Sequence, residues 1–105
     1  MRIESGLYRH YKSSYYLVYK VASHSETGEQ LVFYRCLYGD YSWWVRPLEM
    51  FCETVDVQGK EEPRFALVAA LTDSQLQLGM SEDVAAVENW LTTYLSERLS
   101  AELLL

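Results

Sequence analysis

Two cysteines, two prolines and five glycines are all that a chain of 105 residues contains of those types, and the scarcity excludes several classes of protein. Cys36 and Cys52 have no CxxC spacing, and with only two histidines beside them they do not make a tetrahedral metal site. No GxxxxGK or GxGxxG occurs among the glycines, so the usual phosphate-cradling loops are absent. The longest uninterrupted apolar run, Phe65 to Leu71, is far short of the roughly 20 residues a membrane span needs. Arg2, Glu4, Arg9, His10 and Lys12 interrupt the start, so no apolar leader is expected, and the thiols read as reduced in a cytoplasmic protein. No cofactor, metal or membrane is expected as a partner.

Positive charge is also short. Nine Lys and Arg stand against fifteen Asp and Glu, a net charge of −6, which disfavours binding of nucleic acid through phosphate neutralisation. The deficit is local. Residues 1–60 carry seven cations and seven acids, residues 61–105 two and eight. The N-terminal part can therefore still face an anion.

What the chain has is tyrosine, nine of them with three Trp and three Phe. Tyr15 to His24 is nearly all β-branched, aromatic or small, and Gln30 to Tyr38 repeats that composition after a polar break in which Thr27 and Gly28 suit a turn. A hairpin is expected. Along its first arm Tyr15, Leu17, Tyr19 and Val21 should share the more apolar face, opposite Tyr16, Val18 and Lys20. Leu7 to Tyr11 reads as a preceding strand, separated by a turn at Lys12 to Ser14. Gly39 and Asp40 make the next turn, and Trp43 to Arg46 is a strand stopped by Pro47, which lacks an N–H for the ladder. A short turn and another strand follow in "LEMFCETVDV". "RFALVAAL" is expected to close the sheet as a strand through about Val68, with residues 66–80 otherwise undecided.

Ser81 is the expected N-cap of a helix whose Val84, Val87, Leu91, Tyr94, Leu95 and Leu99 recur at helical spacing. The expected fold is α+β: mainly antiparallel β, a small barrel or curved sheet over residues 1–68, with an amphipathic helix over 81–104 packed on it in a single domain. The terminal "LLL" keeps open a homodimer through that helix.

The blocks "YRHYK", "HSET", "YRCLYG", "WVRP" and "PRF", taken in order over about residues 6–65, resemble the bacterial domain-of-unknown-function family numbered 1653. The resemblance implies a small barrel of the SH3-like kind and no established activity, and it leaves the acidic helix as an extension. The family's polar and aromatic hallmarks fall on Tyr8, Arg9, His10, Tyr11, Lys12, His24, Ser25, Glu26, Thr27, Tyr34, Arg35, Tyr38, Trp44, Arg46, Pro47 and Phe51. Where the pattern has Gly after "YRHYK", this chain has Ser13. A positive φ there would cost it about 1 kcal/mol.

The expected function is a non-enzymatic binding module whose rim of Tyr8, His10, Tyr11, His24, Glu26, Tyr38, Trp44 and Arg46 takes a protein or peptide. The alternatives are a small-molecule or catalytic site using His24 with Glu26 and Arg46, single-stranded nucleic-acid binding, and the structural homodimer.

Overall fold

A computed structural model describes residues 2–104. Its strands are β1 (Gly6–His10), β2 (Tyr15–Ser23), β3 (Gln30–Cys36), β4 (Trp43–Pro47), β5 (Thr54–Val57), β6 (Lys60–Pro63) and β7 (Phe65–Ala70). Its helices are α1 (Leu48–Phe51), α2 (Asp73–Gly79) and α3 (Val84–Leu104). Five strands form one antiparallel sheet in the order β4-β3-β2-β1-β7, and β5 and β6 form a separate hairpin.

The sheet does not close, which corrects the barrel expectation in favour of the open, curved sheet. β5 and β6, which would have to bridge the edges, pair only with each other. Both faces of the open sheet are nonetheless buried. On one face Tyr8, Tyr16, Val18, Val32, Tyr34 and Phe65 pack against Leu48 and Phe51 of α1. On the other Leu7, Leu17 and Leu37 pack against Leu76 of α2 and Val87 and Leu91 of α3. Two-sided burial explains why the arms of the hairpin alternate between apolar and apolar instead of apolar and polar.

The alternation of β2 also slips. Val18 pairs with Tyr34 but Lys20 pairs with Phe33, so Tyr19 is an extra residue in a bulge, its carbonyl taken by the Ser5 hydroxyl at 2.7 Å. Past a bulge the phase of the strand reverses. Val21, expected beside Leu17, therefore packs with Val18 and Val32 on the α1 face.

Turn chemistry follows the residues. Gly28 (φ 75°) closes the β2–β3 hairpin, and Gln58 and Gly59 (φ 53° and 81°) make the tight β5–β6 turn. Ser13 adopts φ 84°, the conformation for which glycine is suited. Pro47, opposite Leu31, is the last residue of β4, so the strand ends at the proline as expected and α1 begins at once. The proline is tolerated because β4 is an edge strand.

The C-terminal segment differs in detail from expectation. β7 runs to Ala70, and α2 follows under a capping box in which Thr72 Oγ1 accepts the Gln75 N–H and Gln75 Oε1 accepts the Thr72 N–H. The cap of α3 is Asp83, not Ser81: its carboxylate accepts the Ala86 N–H at 3.3 Å and its carbonyl the Val87 N–H. Val84, Val87, Leu91, Tyr94 and Leu95 face the sheet, whereas Leu99 is 57% exposed. Leu105, the last of the terminal apolar run, lies outside the described residues.

Candidate functional site

The α1 face of the sheet is not fully roofed. Near the end of the β2–β3 hairpin remote from its turn, Tyr16, Tyr34, Cys36, Tyr38, Trp44 and Arg46, with Gly39, Asp40 and Ser42 at the following turn, line an open cleft of about 430 Å³. Strand alternation places the strand residues. Tyr16 pairs with Cys36 and Tyr34 with Trp44, so side chains from three adjacent strands stand on one face.

The floor is aromatic and rigidly tied. The Tyr16 and Tyr38 hydroxyls are 2.8 Å apart with their rings edge to face, and burial with that bond pushes the Tyr16 phenol well above its ordinary range. At the wall, the Trp44 indole N–H donates to Ser42 Oγ at 2.7 Å. Trp44 is nonetheless 56% exposed. Tyr38 is 45% exposed. Burial raises the Cys36 thiol, the Tyr38 hydroxyl opposing and the Asp40 charge adding to that effect, which disfavours the thiolate form.

Arg46 supplies the charge. Its guanidinium lies 5.4 Å over the Phe65 ring and takes part in neither of the ion pairs among the described residues, Arg64–Glu53 and Arg98–Glu102. His10 adjoins this group, with ring centroids 5.0 Å from Phe65 and 6.1 Å from Tyr16. Its Nδ1 accepts the Lys12 N–H at 3.1 Å. Burial lowers its pKa, and the charges of Arg64, Lys12 and Arg46 act in the same direction. The Tyr11 ring lies tilted beside it at 4.5 Å, with Lys12 Nζ over the Tyr11 ring.

The expected rim thus separates into four places. Tyr38, Trp44 and Arg46 line the open cleft, whereas His10 and Tyr11 line a separate hollow with Arg9, Lys60, Glu61 and Pro63, His10 adjoining the cleft through Phe65 and Tyr16. Tyr8 lines neither: it is 4% exposed, its ring edge on to Phe51 and its hydroxyl donating to the Glu4 carbonyl. His24 and Glu26 stand at the hairpin turn, where His24 Nδ1 accepts the N–H groups of Glu26 and Thr27 at 3.1 and 3.4 Å. The imidazole there serves as an acceptor closing the turn. The hollow nearest that turn is lined by Glu29, Gln30, Pro47, Leu48 and Glu49, not by His24 or Glu26. His24, Glu26 and Arg46 therefore do not share a cleft.

Sequence reasoning left Tyr16, Tyr34, Cys36 and Asp40 out of the site. The signal that finds Tyr16 and Cys36 is register, since both alternate in phase with Trp44 and Arg46 across three strands. Among the described residues no cluster of His, Cys, Asp or Glu could hold a metal ion, and no helix is long and apolar enough to cross a membrane.

A family model described as "Protein of unknown function (DUF1653)" matches residues 6–67. The crystal structure of a DUF1653 protein from Bordetella bronchiseptica is similar with a TM-score of 0.60 at 39% identity, over 67% of this chain and 92% of that one. No curated protein matches the chain. The family match ends within β7, so the cleft lies inside it and α2 and α3 lie outside.

Proposed function

The chain belongs to the DUF1653 family, whose function is unknown, and on that premise we propose that it is a non-enzymatic binding module that takes a carboxylate-bearing peptide or protein segment in the Tyr38–Trp44–Arg46 cleft. The observation that carries this reading is Arg46, a half-buried arginine among aromatic rings that takes part in no ion pair among the described residues, although Asp40 lines the same cleft. A guanidinium matches a carboxylate through two parallel N–H bonds, and the low-dielectric aromatic surround strengthens the pair. Exposed Tyr38 and Trp44 add apolar contact at low entropic cost, as aromatic residues do at interfaces.

The net charge of −6 disfavours nucleic acid in the same cleft, because polyphosphate binding needs many cations. The bacterial cytoplasm is the compartment proposed for it, since both cysteines are free and free thiols persist where they are kept reduced.

The test is affinity capture on the intact protein, quantified against Arg46→Gln and Trp44→Ala variants of unchanged melting temperature. A partner retained by the native chain and depleted about tenfold or more by each variant supports the reading. Recovery of every partner at unchanged levels would overturn it.

A further inference from the structure

The cleft runs along β4, one of the two edges of the sheet, and the two edges are treated differently. β7 is interrupted by a bulge, Leu7 pairing with Ala69 and Tyr8 with Leu67, and the Val68 carbonyl of that bulge accepts Arg98 Nη2 from α3 at 2.8 Å. A bulge and a covering side chain are the usual protections of an edge. β4 has neither. Its register with β3 is unbroken from Arg35–Trp43 to Leu31–Pro47, and its middle residues Trp44 and Val45 are 56% and 59% exposed.

The phase of that ladder shows which main-chain groups are open. The Cys36 N–H donates to the Ser42 carbonyl at 3.0 Å, so in an antiparallel pair the mutually bonded positions continue at Tyr34–Trp44 and Val32–Arg46. The intervening residues Trp43, Val45 and Pro47 turn their main-chain groups away from β3. Pro47 lacks an N–H only where none is needed by the sheet, which leaves the N–H and C=O of Trp43 and Val45 as the open edge.

We propose that the partner segment binds as a sixth strand on β4, its backbone bonded to Trp43 and Val45 and a carboxylate at the one position that faces Arg46. This rests on the cleft being the binding site and deepens it by naming the conformation of the ligand. Strand addition supplies affinity through main-chain bonds and specificity through alternate side chains. On one face of the added strand the side chains stand beside Trp44 and Arg46, and their charge is set by the guanidinium. The other face, beside Val45, suits β-branched residues.

The experiment selects peptides on the intact protein from a random phage-displayed library, then measures the selected peptide with single backbone N-methylations and against Val45→Pro, Val45→Thr and Arg46→Gln. Val45→Pro removes an outward N–H and no bond of the ladder, and Val45→Thr keeps that N–H. Strand addition requires N-methylation at alternating positions to weaken binding about tenfold, with the intervening positions unaffected. It also requires Val45→Pro to weaken binding while Val45→Thr does not. If Val45→Pro does not fold, the methylation series on the native protein decides. Binding that Arg46→Gln weakens but that is indifferent to N-methylation overturns strand addition and leaves the cleft standing. Failure to select any peptide weakened by Arg46→Gln overturns both.

Discussion

Arg35 Nη1 donates to the Gly79 carbonyl at 3.0 Å, joining β3 to the last residue of α2. The same guanidinium donates to the carbonyls of Ser81 at 2.7 Å and Tyr41 at 2.8 Å, and it lies over the Trp43 and Tyr41 rings. Arg35 is 4% exposed, and its charge is balanced by carbonyl dipoles at the helix end instead of a carboxylate. Gly79 and Ser81 lie beyond the family match. An arginine within the matched segment is thus satisfied in part by the segment that follows it.

Replacing Arg35 by Met strands three carbonyls at once. We expect a loss of about 3 kcal/mol or more, since bonds to a charged donor contribute about 1.5–3 kcal/mol each and the losses overlap. Arg35→Lys should recover only a fraction, because one ammonium cannot reproduce the planar fork. Urea unfolding of the three proteins checks this.

Ser13 holds φ 84° in the β1–β2 turn, and its exposed hydroxyl accepts one bond from Arg9. Ser13→Gly should stabilise the protein by up to about 1 kcal/mol, the relief of the left-handed backbone outweighing a solvent-exposed hydrogen bond and the added freedom of the unfolded chain. A rise in melting temperature without change in ligand binding is the expected result.

Gly6 is a strand residue whose absent side chain matters. A Cβ there would run into the Ala69 carbonyl oxygen on β7. Gly6→Ala should therefore part β1 from β7 and cost about 2 kcal/mol or more. Loss of amide protection in both strands, measured by hydrogen exchange, separates this from a uniform destabilisation.

His10 sets a pH dependence. Its folded pKa lies below the ordinary value of about 6.5, and protonation would also end its role as acceptor of the Lys12 N–H. The unfolded chain binds the proton first, so the stabilising contribution is whole above about pH 6.5 and is lost as pH falls through the lower folded value. His10→Asn, which keeps an acceptor but does not titrate, should flatten this part of the stability profile. A carboxylate bound at Arg46 should raise the His10 pKa, readable by imidazole NMR titration.

Much of this was legible in the sequence because it is local. The strand boundaries around Lys12–Ser14, the hairpin turn at Thr27–Gly28 and the end of β4 follow from residue types within a few positions of each other. The Thr72-x-x-Gln75 capping box was equally local, and α2 could have been read from it. Tyr19 could not: nothing in "YYLVYKVAS" marks which residue bulges, since the bulge answers to the partner strand and to Ser5. The slip it introduces moved Val21 to the opposite face.

The sequence by itself determined the antiparallel strands, the C-terminal helix, the family and an aromatic group with Arg46 in phase. Only the tertiary structure decided that the sheet stays open, that Tyr8 is core, that His24 closes a turn, and that Arg35 ties the sheet to α2. The reason is physical. Periodicity and turn preference act between neighbours along the chain, whereas burial of a face, closure of an edge and the partner of a guanidinium depend on segments as far apart as Arg35 and Ser81, and no local pattern encodes which of them will meet.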